Sequence, residues 1–578
     1  KRAINNALNK ITLYPARSVI YDRFGKIIAK NAASYDLFIF PKEEKVDNRL
    51  FIQQILQIDS NQYNKLLTEA WINSKKRQKN NAYNRSAIFY SNLSQQQYTA
   101  LRENLYRLSG FYIEPRTDRS YEIFGSAHAF GYLGEASEQL LKEDAYYQPG
   151  DLVGITGIER YYEEFMRGTK GIKTVWQDRT YKQRGEVQDQ AFNYPAKSGP
   201  DFYATIDIEL QKFAEELFNG KRGSVVAIEP STGEVLTFLN KPDYNPNDLV
   251  GQDRARSFRK MLIDPKKPLY NRAVKGVYPP GSTIKTVLAL IGLQEGIIHP
   301  GSTKGCGGGY RMGNIVVGCH PHGGPLDVVG SIRISCNSYY CGLFREIIDH
   351  PKYRSTHNGY RVLERYWRSF GLGDPTGIDL LGESSGNVPT VERLAKRHGK
   401  KWRSSMVISL GIGQGEILLT PLQLANVAAI LANRGYYIPP HLLKKVNGLK
   451  NNGLKEEYRT KKIIPIDAKH FETVIEGMSQ VLKPGGTANG IGINGIEICG
   501  KTGTAQNPHG KDHSLFIAFA PRKNPKIAIG VIVENGGFGA TYAAPIATLM
   551  IEKYLMRDTA SSKQYMIDRL KSTVLEPQ

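Results

Sequence analysis

The stretch YPPGSTIKTVLALIGLQEG, residues 278–296, sets a serine and a lysine three positions apart at the mouth of an apolar helical pattern. Ile284, Val287, Leu288 and Ile291 recur at helical spacing, which predicts a buried helix from Thr283 onward. Pro279 and Pro280 cannot continue that helix backward, so Ser282 falls at its N-terminus, with Lys285 one turn further along the same face. A serine hydroxyl is a poor nucleophile at neutral pH until a base takes its proton, and a lysine stripped of water can be that base. The helix start also offers backbone N–H groups where an oxyanion would form. Alone the pair carries little weight, because a capping serine followed by a surface lysine is a common helix start.

Two more stretches change its weight. ISCNSYY puts Ser335 and Asn337 two apart, able to face one way from a turn or a helix start. GKTGTAQ, residues 500–506, ends an apolar strand, and Gly503 there lets a ligand backbone approach closely. The order and wide spacing of Ser282, Ser335 and Lys501 make chance a poor explanation for the trio.

The rest of the chain bounds the setting. Its 578 residues exceed one ordinary domain, and 40% hydrophobic content predicts two to four globular domains with sizeable cores. The net charge of +22 is spread over many segments, including KKRQK at 75–79, and reads mainly as solvated faces. No zinc finger, RNA-binding signature or basic heptad helix accompanies it, so no nucleic acid role is expected. There is no apolar run of about 18 residues, the length that crosses a bilayer, and no signal-peptide pattern at Lys1.

Residues 11–40 read as short strands around the turn DRFGK. Residues 46–125 turn helical and polar, broken by a charged stretch at 74–85, as in an inserted subdomain. GITGIERYYEEFMRGTKG predicts an amphipathic helix presenting Ile158, Tyr161, Tyr162 and Phe165 on one face, and 175–200 is extended enough to be a connector. After about 200, TIDIELQKFAEELFNG reads as a helix begun by Asp207 and ended by Gly220, and SVVAIE and EVLTFLN flank PSTG as a hairpin. IEICGKTG, SLFIAFAP and KIAIGVIVEN supply three more strands, and APIATLMIEKYLM a closing helix. Strands at both ends of a helical middle predict an α+β domain, one antiparallel sheet with helices packed on it.

Over nearly its whole length the chain resembles the class B penicillin-binding proteins. PARSVIYDRFGKIIAKN and GITGIERYYEEFMRGTKG look like their pedestal motifs, and GSVVAIEPSTGEVLTFLNKPDYNPN like the start of their transpeptidase domain. GIGQGEILLTPLQLANVAAILANRG and KPGGTANG are similarly placed, and VENGGFGATYAAPIA with YPPGSTIK is most like the elongation branch, penicillin-binding protein 2. Ser18 stands where Gly is common in that family, and Asn337 where some members have Asp; neither change removes a required chemical group. The resemblance implies an elongated pedestal (1–45 and 131–200) with an inserted head subdomain (46–130), then a serine penicillin-binding, β-lactamase-like transpeptidase domain (201–578).

The activity it implies is peptidoglycan D,D-transpeptidation, with no cofactor required for the chemistry. Ser282 would form the acyl-enzyme, with Lys285 as base and Ser335 as proton relay. Asn337 would hold Lys285 and a substrate carbonyl, and Lys501 would help keep Lys285 deprotonated. Thr502, Gly503 and Thr504 would line the subsite for the terminal carboxylate, and the N–H groups of Ser282 and Thr504 would form the oxyanion hole. Stem peptides and β-lactams are the implied ligands, a polymerase of the SEDS type such as RodA and the scaffold MreC the implied partners. The family's N-terminal membrane helix is absent from these residues, which are expected to be the extracytoplasmic, periplasmic part of an inner-membrane protein. A D,D-carboxypeptidase would use the same three motifs, and a non-catalytic penicillin-binding sensor would share the C-terminal half. A β-lactamase is disfavoured, since no acidic motif for water activation lies between the second and third elements.

Four of the five cysteines, Cys306, Cys319, Cys336 and Cys341, lie between 306 and 341 together with His320 and His322. Cys306, Cys319, His322 and Cys336 would complete a tetrahedral Zn2+ site, and elongation-type relatives carry metal ligands at similar places, His322 matching their histidine best. A disulfide and buried free thiols are the competing readings. Zinc ranks first because histidines accompany the thiols.

Overall fold

The computed structural model describes residues 8–575 apart from 77–86, 123–124, 178–182, 188–192, 252, 314, 558–560 and 562. Most of the charged stretch at 74–85 lies outside the described residues.

The pedestal is built on strands β1 (Leu8–Leu13), β2 (Ile20–Tyr21) and β3 (Ile27–Ile39). Helices α1 (Arg49–Leu56) and α2 (Ser60–Lys76), strand β4 (Ala87–Tyr90), helix α3 (Gln95–Asn104) and strand β5 (Phe111–Tyr121) follow. β3 runs 13 residues, longer than the short strands expected, because β5 pairs with it antiparallel from Ala29–Tyr121 to Ile39–Phe111. One end of this pair carries the head, which has its own core of Leu37, Ile52, Tyr63, Phe89, Leu101 and Phe111. The other end packs into the main core beside Ile158, Tyr162 and Phe202.

GITGIERYYEEFMRGTKG forms two short helices, α4 (Gly157–Tyr161) and α5 (Glu163–Met166), interrupted at Tyr162. The single amphipathic face is therefore corrected: Ile158 and Tyr162 are buried, whereas Phe165 points outward. A charge network sets this geometry. Glu159, fully buried, meets Arg17 at 2.6 Å and Arg119 at 2.8 Å, and Arg17 also meets Glu163. Burial pushes the Glu159 carboxyl up, but Arg119 and Arg17 outweigh it and hold the group below its ordinary value.

Strand β6 (Gly171–Gln177) pairs with β1, and β7 (Phe202–Ala204) pairs with β2 on one side and Leu443–Val446 on the other. The last pairing stitches the pedestal sheet to the C-terminal domain. Tyr162 adds to the join by donating to the buried Asp379 carboxylate at 2.7 Å.

The C-terminal domain begins with α6 (Ile208–Leu217), capped by Asp207 accepting from Leu210 N, and with the hairpin β8 (Gly223–Ile228) and β9 (Val235–Lys241). Next come α7 (Ile284–Gln294), a small hairpin of β10 (Gly309–Met312) and β11 (Ile315–Gly318), α8 (Asn337–Ile348), α9 (Pro421–Asn433) and α10 (Ala468–Gln480). Strands β12 (Cys499–Ala505), β13 (His513–Ala520) and β14 (Ile527–Val533) and helix α11 (Ala543–Met556) follow. The expected closing helix is not last, since α12 (Gln564–Ser572) packs beyond it.

The sheet is antiparallel throughout, in the order β9–β8–β14–β13–β12. Successive side chains on a strand face opposite ways, so the burial of every residue in β8 and β14 means both faces are covered. Helices α9 and α11 pack on β13 and β14, and α6 packs on β9. β12 is the edge strand, and the turn leading into α7 lies against it.

Candidate active site

Ser282 sits in a single tight turn, Gly281–Thr283, that feeds α7. The turn is clamped between β12 and the loop holding Gly413. Gly281 has φ +55°, its N–H donates to Gly413 O at 2.9 Å, and a Cβ on it would lie 2.6 Å from Thr504 O. Only glycine fits this conformation and this approach. Thr283 Oγ1 donates to Pro280 O at 2.7 Å, closing the turn from within.

Lys285 and Lys501 are both fully buried and meet over Ser335. Lys285 Nζ donates to Asn337 Oδ1 at 2.6 Å, to Ser335 O at 2.8 Å and to Ser335 Oγ at 3.3 Å; Ser282 Oγ is not among these acceptors. Lys501 Nζ donates to Ser335 Oγ at 2.8 Å and Thr502 O at 3.1 Å. Ser335 can serve both lysines because its backbone is left-handed, φ 61°, just before α8 begins at Asn337. Burial pulls the Lys285 ammonium down to about 8, opposed in part by the neighbouring Cys319, Cys341 and Cys336 sulfurs. Lys501 is pulled well below its ordinary value by burial and then by repulsion from Lys285.

The cleft has a volume of about 610 Å³ and is lined by Ser282, Ser335, Asn337, Thr502 and Thr504 as the sequence pattern expects. A Cβ on Gly503 would lie 3.0 Å from Thr283 Cγ2 and 3.1 Å from Pro280 O, so this glycine admits the serine turn.

Gln414, Thr487, Gln506 and Asp512, which no motif marks as site residues, also line the cleft, as does His320 from the cysteine window. Gln414 Nε2 donates to Thr504 O at 2.9 Å, and the Thr487 and Thr502 hydroxyls are 2.8 Å apart. Gln414 and Thr487 lie in the shared stretches GIGQG and KPGGTANG, the only signal available for them.

Behind the Ser335–Asn337 corner the ligating atoms of Cys306, Cys319, His322 and Cys336 all lie within 4.8 Å of one another. Cys319 Sγ and Cys336 Sγ are 3.8 Å apart, too far for a disulfide, and all five cysteines are free. A tetrahedral zinc with Zn–S of about 2.3 Å has an S–S edge of about 3.8 Å, so the spacing suits that ion. His322 turns Nε2 into the cluster, 3.3 Å from Cys336 Sγ, where an imidazole nitrogen completes a set of three thiols and one histidine. The cluster touches the site directly, with Asn337 N donating to Cys319 Sγ at 3.2 Å and Asn337 Nδ2 to Gly318 O at 2.7 Å. Cys336 is buried and caps α8 while its two neighbours line the cleft, as the alternation predicts. Cys341 and Cys499 stand outside the cluster as buried thiols, each pushed up to about 12 by burial.

A serine turn backed by two buried lysines, set at the open edge of an antiparallel sheet, is the arrangement of an acyl-transferring serine enzyme that uses lysine where triad enzymes use histidine. Comparison with known proteins agrees. The penicillin-binding protein transpeptidase domain matches residues 223–552, and the penicillin-binding protein dimerisation domain matches 12–204. Peptidoglycan D,D-transpeptidase MrdA of Haemophilus influenzae is 31% identical over 98% of this chain and 88% of its own length. MrdA of Escherichia coli K12 is 32% identical over 95% of this chain and 87% of its own. The Helicobacter pylori penicillin-binding protein PBP2, solved in complex with MreC, superposes with a TM-score of 0.78 at 27% identity, covering 96% of this chain and 100% of that one. The chain belongs to the penicillin-binding protein transpeptidase family, and in it the dimerisation domain precedes the transpeptidase domain.

Proposed function

We propose that the protein is the peptidoglycan D,D-transpeptidase of cell elongation, cross-linking stem peptides through an acyl-enzyme on Ser282. The observation that carries this reading is the convergence of Lys285 and Lys501 on Ser335 beside the Ser282 turn, with Asn337 accepting from Lys285. Membership of the MrdA-type family supports it.

Ser282 Oγ attacks the carbonyl of the penultimate D-Ala, and Lys285 in its neutral form takes the hydroxyl proton. To do so its amine turns from Asn337 and Ser335 toward Ser282. The N–H groups of Ser282 and Thr504 hold the oxyanion. When the C–N bond breaks, the proton passes from Lys285 through Ser335 Oγ to the departing D-Ala nitrogen. An amine from a second stem then attacks the ester, gives up its proton by the reverse path, and frees Ser282 as the new amide forms. Thr502 and Thr504 bind the terminal carboxylate, Lys501 holds Ser335 Oγ in place by donating to it, and β-lactams acylate the same serine.

Cys306, Cys319, His322 and Cys336 would hold a structural Zn2+, which would brace the loop that carries Ser335 and Asn337 and would take part in no chemical step. Residues 1–45 and 131–200 form the pedestal, 46–130 the head and 201–578 the transpeptidase domain. The pedestal and head carry the contacts to an MreC scaffold and to a RodA-type SEDS polymerase. No described helix is long and apolar enough to cross a membrane; the protein works on the extracytoplasmic face, held there by an N-terminal membrane helix as in its relatives.

The test supplies a D-Ala–D-Ala pentapeptide donor with an acceptor amine and follows both D-Ala release and the new amide. Release with amide formation, both lost in Ser282→Ala, is the expected result. Release without amide at any acceptor concentration would make the protein a carboxypeptidase, and no release with an intact fold would make it a sensor.

A further inference from the structure

Asp512 is, among the described residues, the one acidic side chain that lines the cleft. It stands at the mouth of the β12–β13 hairpin, one residue past the Ala505–His513 pair and facing Gln506, which also lines the cleft. Its Oδ1 accepts from Asn507 N at 3.2 Å, and no described residue donates to Oδ2. Neither Lys511 beside it nor any other described cation forms an ion pair with it, although the chain carries a net charge of +22. A half-exposed carboxylate left unpaired in so basic a protein, on the wall of its cleft, is available to a ligand.

The direction of the donor fixes which part of it arrives there; this step rests on the transpeptidase reading above. The terminal carboxylate lies toward Thr502, whose hydroxyl is backed by Thr487 at 2.8 Å, and the scissile carbonyl lies between Ser282 and the N–H of Thr504. The acyl half of the peptide must then leave in the opposite direction along β12. At about 3.4 Å per residue, Gln506 is about 7 Å beyond Thr504. That span takes the donor past its acyl D-Ala to the residue before it, whose side chain comes level with Asp512.

We propose that Asp512 is a specificity-determining residue that pairs with a free ammonium on the donor side chain immediately preceding D-Ala–D-Ala. At one end of the cleft hydroxyls receive the donor's carboxylate, and at the other a carboxylate receives its cation. Together they fix the register of an otherwise flexible peptide over Ser282.

The test uses two otherwise identical donors ending in D-Ala–D-Ala, one with a free amine on the preceding side chain and one with that amine acetylated. D-Ala release is measured without acceptor, so an effect arising on the acceptor side cannot enter. The parent protein should favour the free amine about five- to tenfold in kcat/KM, chiefly through KM, and the preference should shrink as salt is raised. In Asp512→Asn, which keeps the acceptor for Asn507 N, the ratio should fall to about one, and Asp512→Glu should restore part of it. Asp512→Lys should instead favour a donor whose amine has been succinylated, a gain that a damaged hairpin could not produce. Equal use of both donors by the parent, or a preference that survives in Asp512→Asn, overturns the proposal. A penicilloyl adduct on Ser282 of the same parent preparation separates the two readings. With the adduct present, a missing amine preference sinks this inference alone; without it, the transpeptidase reading falls first and this one with it.

Discussion

If neutral Lys285 is the base that activates Ser282, the rate of acylation must follow the fraction of Lys285 that is deprotonated. Burial pulls its ammonium down to about 8. A group with that value is about one-tenth neutral at pH 7 and about nine-tenths neutral at pH 9, so the rate should rise roughly tenfold over those two pH units and then level off. The sign follows from the chemistry, because the active form is the unprotonated one and alkali fills it. The assay is the second-order rate of acylation by benzylpenicillin, from quenched samples weighed intact between pH 6 and 9.5 at constant ionic strength. Asn337→Leu sharpens the test by removing the acceptor at 2.6 Å that favours the ammonium, so the surviving activity should have its midpoint displaced to lower pH. Lys285→Arg should lose at least about a thousandfold, since a guanidinium does not release its proton in this range. A profile that is flat from pH 6 to 9, or that falls, would refute the role assigned to Lys285.

Three other consequences concern the frame around the site. Glu159→Ala leaves Arg17 and Arg119 buried without their shared carboxylate and should destabilise the pedestal by about 3–5 kcal/mol in urea unfolding. Because the Glu159 carboxyl is held below its ordinary value of 4.5, its contribution is present above that pH and lost as acid drives it through the lower folded value; an unchanged midpoint at pH 7 would dismiss the network as a stabiliser. Elemental analysis should find about one zinc per chain, lost in Cys319→Ser together with a slower acylation rate; a metal-free protein that acylates at the parent rate would remove the metal from the account. Gly281→Ala puts a Cβ 2.6 Å from Thr504 O at a φ of +55° and should slow acylation at least about a hundredfold while circular dichroism stays native, and near-parent acylation would contradict the clamped serine turn.

What the sequence made legible was whatever is local or carried by strong motifs. The antiparallel sheet follows from strands flanking a helical middle, and Ser282, Ser335 and Lys501 come from three distant stretches that the fold brings to one point. The cysteine window was legible because its donor types are rare and close together. Long-range pairings were not. Arg17 and Glu159 each sit in a pedestal motif, but their contact spans 142 residues and no periodicity announces it. The same network explains the Phe165 error, since the chain bends at Tyr162 to keep Glu159 and Glu163 on Arg17, which turns Phe165 outward. At Gly503 strand alternation alone does not say which neighbour meets the missing side chain, and in the fold it is the serine turn. Thr487 and Asp512 come from loops, where residue type carries little information until the fold shows which wall they line.

The central claim, that Ser282 is the acylated nucleophile, is tested most directly by intact mass after incubation with benzylpenicillin, for the parent protein and for Ser282→Ala. The account predicts one long-lived adduct with the mass of the whole antibiotic, mapped to the peptide containing Ser282 and absent from the variant. A folded parent that takes up no adduct, or an adduct that persists in Ser282→Ala, would contradict it.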